Sequence, residues 1–227
     1  MSEYVRGVTN VGSVSVSEHY IGSDSTVDLD VTYSRLIDIT VASLILIITL
    51  PILIVAIIAV FLENPKGRIF FVQQRYGHLG QSFRMIKLRT MVPDAEALKA
   101  SLLDKSTDKG PGFKVDNDPR ITAVGRILRK LYIDEIPQCI NVLNGEMAMV
   151  GPRANSYNPT CYQPWQRIRL AVKPGITGLW QVAEVRPESF SERCELDLNY
   201  ITQKSIYLDL SIMAATAVML LTRVSGR

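Results

Sequence analysis

The sequence predicts an α+β protein, mainly helical, in which a re-entrant membrane helix-break-helix precedes a small interfacial domain containing a β-hairpin. Three observations predict it. Residues 39–62, ITVASLILIITLPILIVAIIAVFL, hold 24 positions without a charge, and Pro51 divides them into arms of 12 and 11. Two strand-like runs flank Gly77-His78-Leu79-Gly80, the pattern of a hairpin. Most of the remaining chain carries helical spacing or turn residues.

The apolar run comes first. As an unbroken helix it would be roughly 36 Å long against a hydrocarbon core of roughly 30 Å, so it is long enough to span. Pro51 costs one backbone hydrogen bond and clashes with the carbonyl four residues back, at about 3 kcal/mol in water. Each arm is roughly 17–18 Å, about half a bilayer. Arg35 precedes the run while Lys66 and Arg68 follow it, so the positive-inside bias is the same at both ends. The expected course enters the membrane, turns at mid-depth and returns to the same face. Arg35 and Asp38, three apart on one helix face, are expected to pair at the interface. Thr49 is expected to donate its hydroxyl to a carbonyl that Pro51 frees. ENPKG, residues 63–67, ends the segment. The run starts too far in and is too long for a signal peptide, and no A-x-A pattern follows it.

These boundaries give a poorly ordered tail over 1–32, a membrane segment over 33–63 and a larger domain over 64–227. In the hairpin's second arm, Lys87 and Arg89 alternate onto one side. Residues 92–119 are polar, with a helical start at DAEALKASLLD and then a Gly/Pro/Asp-rich loop expected to be mobile. A helical pattern runs from 121 to 143. The last stretch, from ERCELDLNY onward, is helical too, but its uncharged part over 210–222 is too short to span.

Charge and composition narrow the function. The chain of 227 residues has a net charge of +3. Its first 38 residues carry −4, which leaves +7 on the rest. A basic body beside a membrane segment suits anionic headgroups or a phosphorylated ligand. The three cysteines, Cys139, Cys161 and Cys194, have no zinc spacing, and their odd number argues against a disulfide framework. Two histidines argue against a His-rich metal site or a Ser-His-Asp triad. Neither a Walker A nor a G-x-G-x-x-G pattern occurs, so a P-loop or Rossmann nucleotide site is not supported.

The chemistry-bearing stretch is LRKLYIDEIPQ. Pro137 is tolerated only within a first helical turn, so with Asp134 as an N-cap the helical pattern breaks in two, with two carboxylates at the junction. Free N–H groups there would attract phosphate and favour an ionised Asp134, a possible nucleophile toward phosphorus. The same residues also suit an ordinary helix start. Arg129 and Arg153, the latter on the Gly-Pro turn of MVGPRA, offer planar forks for phosphate oxygens. KPGITGLWQV fits either close approach to a ligand or a packed turn. Asp197, in CELDLNY, fits metal binding or a helix surface.

In this order, the inserted run, the basic hairpin, LRKLYIDEIPQCINVLNGEMAMVGPR, KPGITGLWQV and CELDLNY resemble the bacterial sugar transferase family. These are polyprenyl-phosphate hexose-1-phosphate transferases, also called monotopic phosphoglycosyl transferases. The resemblance covers residues 33–222, and its most specific element is Asp-Glu-x-Pro-Gln followed by Asn-Val-Leu-x-Gly and Val-Gly-Pro-Arg.

The resemblance implies transfer of a sugar-1-phosphate from a UDP-sugar to polyprenyl (undecaprenyl) phosphate, with UMP released, at the first membrane step of exopolysaccharide or glycoconjugate assembly. Residues 64–227 would be the catalytic domain, on the cytoplasmic face of a bacterial inner membrane. Asp134 would be the nucleophile that forms a phosphosugar-aspartyl intermediate, with Glu135 assisting. Lys87, Arg89, Arg129 and Arg153 would bind phosphate. Mg²⁺ would be held by Asp134, with Asp197 a weaker candidate. Membrane lipid is a further partner; downstream glycosyltransferases and self-association are compatible, and nucleic acid is not expected. Three departures stand out. Ala154 replaces the proline of Val-Gly-Pro-Arg-Pro, Glu146 stands where Asp is usual, and Leu50 stands where Ser precedes the membrane proline. The competing readings are a non-catalytic membrane scaffold and a soluble phosphate-ester hydrolase. The intact Asp134-Glu135 pair argues against the first and the charge-free run against the second.

Overall fold

The computed structural model describes residues 25–105, 115, 117–185 and 187–225. Most of the expected N-terminal tail and most of the loop expected to be mobile, 106–114, lie outside them. The architecture is mainly helical, with a small antiparallel hairpin and one short parallel strand pair.

Helix α1, Ser25–Glu63, begins before the expected opening at Tyr33. It runs on through Pro51, so the predicted break is absent as a change of secondary structure. One missing hydrogen bond does not end a helix whose apolar side chains favour it on both sides. Thr49 Oγ1 donates to Ile45 O at 2.6 Å and not to the Ile47 carbonyl four residues before Pro51. That back-bond bends a helix and does not replace the lost bond. The stretch Tyr33–Glu63 is long and apolar enough to cross a membrane.

One stripe of α1 packs on the rest of the protein, and the stripe uses both arms. Val41, Ala42, Ile45 and Leu46 join a core with Met85, Cys139, Val142, Met147 and Tyr200. Leu53, Ala56, Ile57 and Val60 join a second core with Leu88 and Leu128. The spacing of three and four residues is that of one helical face. The opposite face leaves Ile47, Ile48, Val55 and Leu62 between 67% and 71% exposed. Large aliphatic side chains so uncovered mark a surface made for an apolar partner.

Polar bonds fasten both ends of the run to the same body. Arg35 donates from Nη1 to Val142 O at 2.6 Å and from Nη2 to Leu143 O at 2.9 Å. Asp38 accepts from Met149 N at 2.8 Å. Arg35 and Asp38 therefore bond to backbone rather than to each other, since each finds an orphan helix-end or strand group that needs a partner. At the far end, Glu63 Oε1 accepts from Val124 N at 2.9 Å.

The hairpin pairs β1, Phe70–Tyr76, with β2, Ser82–Leu88, in the predicted place. Its turn uses positive φ at Leu79 and Gly80. Next come α2, Ala95–Lys99, and α3, Ala123–Lys130, the latter capped by Thr122, whose hydroxyl accepts from Gly125 N. Helix α4 is Gln138–Leu143. Strand β3, Ala148–Val150, pairs in parallel with β4, Gly175–Thr177. A Cβ on Gly175 would lie 2.1 Å from Gly151 N, and one on Gly151 would lie 2.4 Å from Lys173 O. The glycines of KPGITGLWQV thus serve a backbone crossing and not ligand approach. Helix α5, Leu179–Val182, follows. The C-terminal helical stretch is two helices, α6, Phe190–Gln203, and α7, Ile206–Ser225. They are divided at Lys204, whose backbone leaves the helical region, and Ser205 Oγ accepts from Leu208 N.

Candidate active site

The site forms where the 121–143 pattern breaks. Helix α3 ends at Lys130, Tyr132 adopts left-handed φ 57°, and a single 3-10 turn, Ile133–Glu135, follows. Tyr132 N–H bonds Arg129 O and Ile136 N–H bonds Ile133 O, both at 3.3 Å. A left-handed residue reverses the chain sharply, at a cost that a non-glycine residue bears only when its surroundings enforce it. Pro137, having no N–H, stands at the start of α4, where none is missed. Asp134 is therefore inside a 3-10 turn and not the N-cap of α4, so the expected support from that helix's free N–H groups falls away.

The two carboxylates meet opposite environments. Asp134 is 7% exposed. Burial and the neighbouring Glu135 charge push its carboxyl above the usual range, against the opposing pull of Lys87 and Arg129. Glu135 is also buried, which opposes ionisation, yet Arg153 and Lys87 outweigh that and hold it far below the usual range. Lys87 Nζ lies 2.7 Å from Glu135 Oε1. Arg153 grips the same carboxylate with both nitrogens, Nη1 at 3.2 Å from Oε2 and Nη2 closer on Oε1. Glu135 is thus engaged as a tether for two cations, and Asp134 is left without an ion pair.

Arg129 completes the group. Its Nε donates to Thr90 Oγ1 at 2.8 Å, and its charge acts on Asp134. Its two Nη groups make no hydrogen bond and face solvent. Three cations around two carboxylates leave one positive charge in excess, which suits an incoming phosphate ester.

Of the sequence-derived residues, the fold brings together Asp134, Glu135, Lys87, Arg129 and Arg153. It keeps Arg89 and Asp197 apart from them. Strand β2 stops at Leu88, so the alternation that put Arg89 beside Lys87 fails at the last step. Arg89 is 9% exposed and donates to Arg68 O, Val60 O and Asn64 O at 2.9, 2.7 and 3.0 Å, clamping the end of α1. Three of its five N–H donors are so occupied, and the buried side chain serves the end of α1 rather than the carboxylate site. Asp197, 1% exposed, pairs with Arg169 at 2.8 Å. Burial raises its carboxyl to about 6 against the pull of Arg169.

Three supports were not read from the sequence. Asn141 accepts from Ile86 N at 3.1 Å and donates to Arg84 O at 2.8 Å, tying α4 to the strand that carries Lys87. The same amide donates to Glu146 Oε2 at 2.7 Å, which gives that residue its role. The Arg153 turn is held by Arg169 on Arg153 O at 2.9 Å and by Arg75 on Ala154 O at 3.2 Å. Asn141 lies within the Asn-Val-Leu-x-Gly motif, but a buried amide's partners are strands distant in sequence and leave no local pattern.

Among the described residues no group of three or more His, Cys, Asp or Glu could enclose a metal. With Glu135 engaged, Asp134 is the carboxylate left in the site. Mg²⁺ often binds through one or two carboxylates, substrate phosphates and water, so this donor set fits that ion and no all-protein cage.

A buried acid ringed by cations, on a body fastened to an apolar membrane-length helix, is an arrangement suited to phosphate esters at a membrane edge. Residues 29–223 match the family described as bacterial sugar transferase, and the chain belongs to that family. It is 40% identical over 190 residues to the galactosyl transferase CpsE of Streptococcus agalactiae, covering 80% of this chain and 40% of that protein. It is 35% identical over 187 residues to the exopolysaccharide production protein ExoY of Rhizobium meliloti, covering 80% and 82%. A UDP-glucose:undecaprenyl-phosphate glucose-1-phosphate transferase of Klebsiella pneumoniae is 40% identical over 200 residues, covering 83% and 40%. The chain thus spans less than half of some curated relatives and most of another.

Proposed function

We propose that this chain transfers a sugar-1-phosphate from a UDP-sugar to undecaprenyl phosphate and releases UMP, as the initiating step of exopolysaccharide or glycoconjugate assembly. The observation that carries this reading is the split between adjacent carboxylates. Glu135 is consumed by Lys87 and Arg153, which leaves Asp134 buried, unpaired and beside Arg129. A carboxylate oxygen of Asp134 attacks the β-phosphorus of the nucleotide sugar. The bond from that phosphorus to the bridging oxygen breaks, and UMP leaves with the electron pair. The acceptor's phosphate oxygen then attacks the phosphosugar-aspartyl intermediate, and the Asp134 carboxylate departs. Arg129, Lys87 and Arg153 stabilise the charge that gathers on the phosphoryl oxygens. Asp134 and the diphosphate would hold Mg²⁺, which neutralises charge on the leaving nucleotide when bound.

The same proposal places the chain in the bacterial inner membrane as a re-entrant segment, with the site on the cytoplasmic face. Both ends of the apolar run are bonded to one polar body. A straight helix from Arg35 to Val60 is roughly 37 Å long, more than the hydrocarbon core. If it spanned, a charged body would have to follow it through the lipid. A bent insertion keeps that body in water.

The test is UMP release by purified protein with undecaprenyl phosphate, Mg²⁺ and a panel of UDP-sugars. Turnover with one sugar, lost in Asp134→Asn and accompanied by a trapped phosphosugar adduct in the wild type, is the expected result. Full activity of Asp134→Asn would sink the nucleophile. Silence with every sugar in the panel would favour the scaffold alternative. For topology, labelling of engineered cysteines at positions 10 and 100 by a cytoplasm-restricted thiol reagent is expected at both; protection of position 10 alone would require a spanning helix.

A further inference from the structure

Where α1 leaves the body, Arg35, Lys173 and Lys204 gather around Asp38, and Lys204 also acts on Asp209, so three cations face two acids. Arg35 caps the carbonyls of Val142 and Leu143 at the end of α4. Beside it, Gly145 turns the chain with φ 81°. An atom at its Cβ position would lie 3.6 Å from Arg35 Nη2 and 3.8 Å from Lys173 Nζ, so both cations crowd one turn. Lys204, in the break between α6 and α7, acts electrostatically on both Lys173 and Asp38.

Both acids are also hydrogen-bonded within the protein. Asp38 accepts from Met149 N, and Asp209 accepts from Tyr200 Oη at 2.7 Å. Neither Lys173 nor Lys204 makes a hydrogen bond or ion pair, and Lys173 is half-buried. Burial and the Arg35 charge pull the Lys173 ammonium below its usual range, against the opposing pull of Asp38. With one cation in excess of the acids, this half-buried ammonium is stabilised further by an anion from outside.

We propose that Arg35, Lys173 and Lys204 bind the phosphodiester of an anionic membrane phospholipid at the mouth of α1. This rests on the membrane placement of α1 proposed above. Arg35 stands four residues before the charge-free run, at the depth where headgroups lie. The acceptor substrate's phosphate does not fit this position. It must reach Asp134, which precedes the start of α4, whereas Arg35 caps its end, across a helix roughly 9 Å long. The site would hold the body against the leaflet and fix how far α1 enters.

The experiment titrates the full chain in a neutral detergent by calorimetry. The probes are dihexanoyl-phosphatidylglycerol, dihexanoyl-phosphatidylcholine, inorganic phosphate and farnesyl phosphate. The variants are Lys173→Gln, Lys204→Gln and the double substitution, chosen because neither ammonium holds a structural bond. Phosphatidylglycerol is expected to bind with an affinity that falls as salt rises, and to bind about tenfold more weakly to the double variant. Phosphatidylcholine is expected to bind at least about tenfold more weakly than phosphatidylglycerol to the wild type. Equal phosphatidylglycerol affinity in wild type and double variant would overturn the site, as would equal binding of the two lipids. Competition by inorganic phosphate alone, with no gain from the diacyl chains, would reduce it to a simple anion site. Farnesyl phosphate displacing phosphatidylglycerol would reassign it to the acceptor. UMP release is measured in parallel on the same samples, so failure of the transferase reading is distinguished from failure of the lipid site.

Discussion

Two buried acids lie on different elements, Asp134 in the 3-10 turn and Asp197 on α6, and in both burial pushes the carboxyl upward. They part in what opposes that push. Asp197 meets one guanidinium, Arg169, at 2.8 Å, and both are nearly closed to solvent. Asp134 is in no ion pair, because its neighbour Glu135 takes the two nearest grips, from Lys87 and Arg153. A matched buried pair fixes the backbone around it. A buried acid held beside cations, yet left without a grip of its own, is free to use its oxygens on a ligand.

The largest expected effect breaks the chemistry at one of these sites without breaking the fold. Asp134→Asn should lower UMP release by about a thousandfold or more, the scale for loss of a covalent nucleophile. Its stability should move the other way. Because the folded state raises the Asp134 pKa, the wild type's contribution from this group is present at low pH and lost as pH rises through the folded value. The amide should therefore melt higher than the wild type at pH 8, with the gap closing as pH falls toward the ordinary carboxylate range. A lower melting temperature at pH 8 would show that Asp134 is a structural partner after all.

At the other site the order reverses. Asp197→Asn leaves the Arg169 charge buried without its anion, and stability should fall by about 3–5 kcal/mol. Since Arg169 also holds Arg153 O, activity measured well below the melting temperature should drop through KM more than through kcat. Chemical denaturation and a substrate titration on one sample check both. A loss in kcat alone, with stability unchanged, would make Asp197 a participant in the reaction, as its candidacy for Mg²⁺ once implied.

These outcomes bear on what could be read from the chain. The turn at Asp134 was legible because Pro137 cannot continue a helix and two acids precede it. That it is a 3-10 turn was not legible, since the cause is the left-handed Tyr132, and tyrosine carries no turn signal. Lys87 was placed by strand alternation, which failed for Arg89 only because the strand ends one residue earlier. Arg169 escaped attention because its partners, Asp197 and Arg153 O, are remote in sequence. The membrane-length run was plain in composition, but the length of α1 and its continuity through Pro51 depend on packing against two cores.

A smaller effect sharpens the contrast between the adjacent acids. Glu135→Gln removes the like charge that raises Asp134 and releases Lys87 and Arg153 toward it. Both changes favour the ionised aspartate, so the acid limb of the pH-rate profile should shift to lower pH. The plateau should fall by about a hundredfold, because the two cations lose the tether that aims them. An acid limb that stays in place would mean that Asp134 does not set it.

The smallest effect concerns Ala154, where the family's proline is replaced. By itself, alanine there leaves the turn that carries Arg153 less rigid than proline would. In the folded chain the turn is already pinned from several sides. Arg169 and Arg75 hold its carbonyls, Gly175 N–H bonds Pro152 O at 3.0 Å, and Tyr76 N–H bonds Asn155 O at 2.8 Å. The parallel bridge between Arg153 and Gly175 also engages the Ala154 N–H with the Gly175 carbonyl, a bond that a proline would remove. Restoring proline in Ala154→Pro should therefore change kcat/KM by less than about twofold, with the gain of about 0.4–1 kcal/mol through the unfolded chain offset by the lost bridge bond. A tenfold gain in activity would mean that the two arginines hold the turn loosely. The Asp197–Arg169 pair would then be a packing contact only, and the proline would be what normally sets Arg153 against Glu135.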